Sequence, residues 1–182
     1  MLIADIKGFT LISERLTPEE LITKIDLYFR AFDGIMIKHG LEKIKTIGDA
    51  YMAVGGLGSD PVKGAAATIN AAIAMQEFVK DQSMHDQPDQ QLALRIGIHT
   101  GSVIAGVVGS NKLQYDIWGD TVNVAARMEQ HSEPGRINVS KSTNELTANQ
   151  FYFTYRGKID AKNKGELDMF FVERALKVLS EL

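Results

Sequence analysis

EKIKTIGDAYMAVGG, residues 42–56, reads as two β-prone runs, 44–47 and 50–54, separated by Gly48 and Asp49. Gly-Asp between such runs signals a tight hairpin, since both residues tolerate the backbone a short turn demands. Upstream, Thr17, Pro18 and Glu20 form a helix entrance with a capping box and proline in the first turn. Leu21, Ile25, Tyr28, Phe32, Ile35 and Met36 then recur along one helical face, and Gly40 marks the end. Before this helix, Leu2, Ile3, Ala4 and Ile6 make a short apolar strand that stops at Gly8, where FTLISERL begins as a helix. Downstream, the Ala, Ile and Met periodicity predicts a second long helix over about 61–80, followed by a polar loop, SMHDQPDQ. The order strand, helix, hairpin, helix, strand (LALRIGIH, 92–99) predicts an α+β fold with a ferredoxin-like βαββαβ core and a mainly antiparallel sheet.

Beyond this core, VIAGVV (103–108) reads as a further strand, with Gly101 near the connection. Asp120 is the expected cap of a helix carrying TVNVAARMEQ. RINVS, FYFTYRG and MFFVER supply later strands, with a short helix between the first two. No repeat or boundary divides the chain, so residues 1–182 are expected to form one domain. The abrupt opening MLIAD, like the tail of a buried strand, predicts a fragment of a longer regulated protein.

The apolar fraction of 45% suits a packed core, and a net charge of −3 gives no general attraction for nucleic acid or an anionic membrane. No apolar run approaches the roughly 20 residues of a bilayer span, so no membrane contact by this segment is expected. The absence of cysteine removes disulfides and thiolate chemistry together and fits a cytoplasmic location. His39, His85, His99 and His131 lack zinc spacing, and neither a GxSxG elbow nor a GxxxxGK[ST] loop occurs.

Asp5 closes a buried strand and Asp49 sits in the hairpin turn, so pairing their strands would bring two carboxylates to one sheet edge. That pair would suit Mg²⁺ or Mn²⁺, hard ions that take oxygen ligands and share them with phosphates. Taken singly, each aspartate has a commoner role, as a helix cap or a turn former. Gly8, Phe9 and Thr10 form a turn into a helix start whose free amides could meet phosphate oxygens. Asn123 and Arg127 lie four apart, on one helical face. Lys162 and Lys164 make a small cationic loop before the last strand.

In combination, ADIKGFT, EKIKTIGDAYMAVGG, RIGIHTG, AGVVG and QYDIWGDTVNVAARME, in that order, strongly resemble the class III adenylyl and guanylyl cyclases over nearly the whole chain. The resemblance implies that Asp5 and Asp49 hold two divalent ions, Mg²⁺ or Mn²⁺, assisted by the Ile6 carbonyl. It places Lys7, Gly8, Phe9 and Thr10 near the phosphates and Lys45 and Asp116 at the purine. Asn123 and Arg127 match the transition-state pair, and Lys162, with Lys164 two residues away, matches a triphosphate contact. Ser102 stands where some members carry a phosphate-contacting arginine.

Lysine donates only and ionised aspartate accepts only, a pattern that matches adenine and implies an adenylyl cyclase turning ATP into cyclic AMP. The resemblance also implies a homodimer with two composite sites, the metal aspartates of one subunit facing the purine and transition-state residues of the other. Regulatory domains are expected outside the segment. The alternatives are a guanylyl cyclase, a silent nucleotide-binding regulator and a dimerisation module. The complete set of metal, purine and transition-state residues argues against the last two, and the GGDEF signature of diguanylate cyclases is absent.

Overall fold

The computed structural model describes residues 1–87, 90–161 and 165–176, and every side chain among them except those at positions 10 and 11. Strand β1 (Leu2–Lys7) buries Leu2, Ala4 and Ile6 on one face and half-buries Ile3 and Asp5 on the other, the two-residue period of a strand covered on both sides. After the short α1 (Phe9–Ser13), helix α2 (Pro18–His39) starts as its sequence predicts. The Thr17 hydroxyl accepts from the Glu20 amide and the Glu20 carboxylate accepts from the Thr17 amide. Tyr28, Phe32 and Met36 bury its inner face, and Gly40 ends it at φ 69°.

The hairpin is β2 (Glu42–Ile47) and β3 (Ala50–Val54), with Gly48 at φ 60° in the turn. Helix α3 (Pro61–Ser83), capped by Asp60, runs three residues past its expected end and leads to β4 (Ala93–Ile98). These strands lie in the order β2-β3-β1-β4, all antiparallel, as the ferredoxin-like reading requires. Strands β7 (Ile137–Ser140), β9 (Gly165–Ala175) and β8 (Phe151–Ala161) extend the sheet to seven, with β7 parallel to β4 and α5 (Lys141–Thr147) between β7 and β8.

VIAGVV forms a strand as expected, β5 (Ile104–Val108), which stands apart from the main sheet and pairs with β6 (Gln114–Trp118) in a separate hairpin. One strand was not anticipated, and one expectation, the cap of α4, needs correction. Strand β6 itself was hidden inside QYDIWGD, whose glycine and two aspartates resemble loop. Gly119, at φ 131°, holds the cap position of α4 (Asp120–Gln130), so Asp120 is the first helical residue rather than the cap. No side-chain cap bond forms there. Instead the Thr121 hydroxyl donates to the Ser102 carbonyl at 2.6 Å and ties the helix start to the loop before β5.

Helices α2 and α3 cover one face of the sheet, where Tyr28, Phe32, Ile69 and Met75 pack on Leu2, Ala4, Ile6 and Tyr51. Helix α4 covers the other, with its Ala125 and, from β6, Ile117 clustered with Met1, Met52 and Val54. The closest approach is at Gly97, where a Cβ would lie 2.0 Å from the Glu129 amide nitrogen and 2.5 Å from the Ala125 carbonyl oxygen. Gly97→Ala must therefore push backbone from backbone. It should destabilise the domain by about 3 kcal/mol, the upper range for overpacking, and displace the helix carrying Asn123 and Arg127. Denaturant melting tests this, and a loss below about 1 kcal/mol would contradict the packing. Among the described residues no helix is long and apolar enough to cross a membrane.

Candidate active site

Asp5 stands opposite Ala50 across the β1–β3 ladder, so its neighbour in the chain of that partner is Asp49. The edge pairing read from the sequence is thus present. Asp5, Ile6, Lys7, Gly8, Phe9, Asp49 and Arg95 line an open cleft of about 320 Å³. Gly8 turns the chain from β1 into α1 at φ 82°, a conformation glycine adopts without strain. The Thr10 backbone lies in α1, while its side chain falls outside the description.

Partial burial, and then the nearby Asp5 carboxylate, hold the Asp49 carboxyl above its usual range. Two carboxylates beside a strand-end backbone are hard oxygen donors, and the negative charge they concentrate suits a divalent cation. Among the described residues no three His, Asp or Glu side chains gather as a self-sufficient metal cage.

Arg95 was missed by sequence reasoning, although it opens the RIGIHTG motif. It faces Asp5 across the β1–β4 ladder, and its Nη2 donates to Asp5 Oδ2 at 2.7 Å. The same nitrogen lies 2.9 Å from Oε1 of Glu129, a buried carboxylate on α4. Burial pushes the Glu129 carboxyl up to about 7, with Arg95 opposing the rise and Asp5 and Asp49 adding to it. A charged residue in an otherwise apolar strand was the available signal for Arg95. Glu129 carried none, because its i−4 and i+4 helical context does not reveal the partner on β4.

The second cluster pairs Lys45 with Asp116. Lys45 Nζ is 2.5 Å from Asp116 Oδ2, and Asp116 Oδ1 accepts from the Ile117 amide at 2.9 Å. The Lys45 hydrogen bond keeps the Asp116 carboxyl below its usual range. A one-residue bulge between Lys43 and Lys45 produces this meeting. It sets Lys45 opposite Met52, whose side chain packs on the α4 face of the sheet together with Ile117. In uninterrupted register Lys45 would oppose Tyr51 and turn toward α2 and α3.

Asn123 is exposed and Arg127 half-buried on α4, and Arg127 forms no ion pair among the described residues. Neither lines the aspartate cleft, nor do Lys45 and Asp116. Ser102 is exposed. Lys162 and Lys164 lie outside the described residues.

Comparison with known proteins identifies the family and the fold. The family model for the adenylate and guanylate cyclase catalytic domain matches residues 1–174. A receptor-type guanylate cyclase of Caenorhabditis elegans, gcy-28, is 39% identical over 164 residues, covering 89% of this chain and 13% of that protein. An adenylate cyclase of Mycobacterium tuberculosis is 38% identical over 172 residues, covering 94% of this chain and 38% of its own length. The chain therefore spans well under half of these relatives. Among solved structures, the adenylyl cyclase CyaB from P. aeruginosa superposes with a TM-score of 0.89 at 30% identity, covering 98% of this chain and 95% of that one. The guanylate cyclase domain of RhGC from Catenaria anguillulae, in complex with GTP, gives 0.86 at 30% identity, covering 96% and 95%.

Proposed function

The chain belongs to the adenylate and guanylate cyclase catalytic-domain family, and on that premise we propose that it converts ATP to 3′,5′-cyclic AMP and pyrophosphate in the cytoplasm. The choice of ATP rests on one observation, the Lys45–Asp116 pair. Relatives include both adenylate and guanylate cyclases, so family membership alone does not select the base. With the purine 6-substituent toward Asp116 and N1 toward Lys45, adenine presents an amino donor to the carboxylate and a ring-nitrogen acceptor to the ammonium. Guanine in that orientation presents a carbonyl to the carboxylate and an N–H to the ammonium, and both meetings are mismatched. The ion pair holds the two groups in place before nucleotide arrives, which lowers the ordering cost of binding.

In the proposed reaction the ribose 3′-oxygen attacks the α-phosphorus in line, forming one P–O bond as the bond to pyrophosphate breaks. Two divalent ions held by Asp5, Asp49 and the Ile6 carbonyl would activate the hydroxyl and neutralise the triphosphate. Lys7 and the amides of Gly8, Phe9 and Thr10 would bind phosphate oxygens. Asn123 would orient the ribose, Arg127 would stabilise charge developing on the transferred phosphate, and Lys162 would contact the triphosphate. Since neither Arg127 nor the purine pair lines the aspartate cleft, we assign them to the site completed by a second copy of the chain, in a homodimer with two composite sites.

Base selection is tested by the ratio of kcat/KM for ATP and GTP. The wild type should favour ATP by about 100-fold or more, short of the roughly 10,000-fold of a sealed polar site. Lys45→Glu should weaken ATP use, and adding Asp116→Cys should move residual activity toward GTP. Equal wild-type ratios, or an unchanged preference in the double variant, would remove this pair as the selector.

A further inference from the structure

Arg95 is caught between two carboxylates and satisfies neither fully. A single nitrogen, Nη2, serves both Asp5 at 2.7 Å and Glu129 at 2.9 Å. Its Nε is buried without an acceptor, and the contact to Glu129 Oε1 lacks hydrogen-bond geometry. Guanidinium and carboxylate pair best as a two-pronged fork, with two parallel N–H···O bonds. That fork is open to Arg95 only if it turns fully to one carboxylate.

Asp5 is itself spoken for: it lines the cleft with Asp49, and a cation bound there would compete with Arg95 for the same oxygens. Glu129 stands behind Arg95, rooted in α4 where that helix touches the β4 backbone. An arginine with no second carboxylate would stay on Asp5 as a built-in competitor of the cation.

We propose that Glu129 is a positioning residue that draws the Arg95 guanidinium off Asp5 when a divalent cation enters the cleft, so that Asp5 is oriented at rest and released for coordination. The proposal rests on the reading of Asp5 and Asp49 as cation ligands. Groups behind a metal's direct ligands commonly change its affinity by about 10- to 100-fold.

The experiment measures Mn²⁺ binding, by the loss of the free-ion paramagnetic resonance signal, in the full chain with 3′-deoxy-ATP, which lacks the attacking hydroxyl. Glu129→Gln should weaken Mn²⁺ by about 10-fold, because Arg95 then remains on Asp5. Combining it with Arg95→Met should restore affinity to within about 3-fold of wild type, since competitor and counter-charge are both gone. A purely structural role predicts the reverse, with the double variant worse than the single. Unchanged affinity in Glu129→Gln, or a double variant weaker than the single, overturns the proposal. Asp5→Ala separates the two readings: if it leaves Mn²⁺ binding intact, the cation site itself is misassigned. A crystal structure of the wild type with Ca²⁺ and 3′-deoxy-ATP needs no variant to fold. Arg95 paired with Glu129 and parted from Asp5 is the expected result, and an Asp5–Arg95 bond persisting beside bound cation refutes the mechanism.

Discussion

Asp5→Ala and Asp49→Ala will each reduce cyclic AMP formation by about 1,000-fold or more, with the fold retained. Cation stabilisation of a phosphoryl-transfer transition state is worth several kcal/mol, and 4 kcal/mol corresponds to about 1,000-fold. Neither carboxylate carries the core. Asp49 lies in the hairpin turn, and Asp5 is half-buried on the strand face opposite Leu2, Ala4 and Ile6. Removing Asp5 leaves Arg95 its other partner, Glu129, so no buried cation is stranded. Melting midpoints should therefore stay near wild type while turnover collapses. Near-normal turnover in either variant would refute the metal assignment, and a collapse of melting together with turnover would leave the carboxylates as structural groups.

Equally large, and opposite in sign, is the recovery expected on mixing two inactive variants. Arg127→Ala should lose about 100- to 1,000-fold, as loss of a transition-state charge partner commonly does. Mixed with Asp49→Ala, it should regain about one quarter of wild-type turnover at equal ratio: half the dimers are mixed, and each mixed dimer has one site free of mutation and one carrying both. Two features of the single chain motivate this. Neither Arg127 nor the purine pair lines the aspartate cleft. The β5–β6 hairpin also exposes Ile104 (71%), Val107 (60%) and Leu113 (75%), large apolar side chains whose exposure favours a covering partner. If subunits exchange and activity stays at the level of the separate variants at every ratio, the site is not shared between copies.

The elements of the core were legible because each is governed by neighbours in sequence. The Thr17–Glu20 box, Pro18 and the 28, 32, 36 spacing start and orient α2 through contacts within a turn or two. The Gly48–Asp49 turn sets the hairpin in the same way. Strand β6 and the true cap of α4 were not legible. QYDIW lacks clean alternation, and Gly119 reaches the cap position through a φ of 131° that no sequence spacing announces.

For the candidate site the division follows the range of the forces. Sequence alone determined the residue types and their order: two aspartates at strand end and turn, a lysine and an aspartate of opposite hydrogen-bonding sense, an amide and a guanidinium one helical turn apart. Tertiary structure decided which of them meet. The bulge after Lys43 turned Lys45 toward Asp116, 71 residues away in the chain, and the missing side chain at Gly97 let α4 approach β4 at the height where Glu129 reaches Arg95. The first depends on strand register and the second on the distance between helix and sheet. Those are set by how whole faces pack, since a one-residue slip reverses every side chain in a strand and a single methyl at a backbone contact moves a helix; no local propensity encodes either.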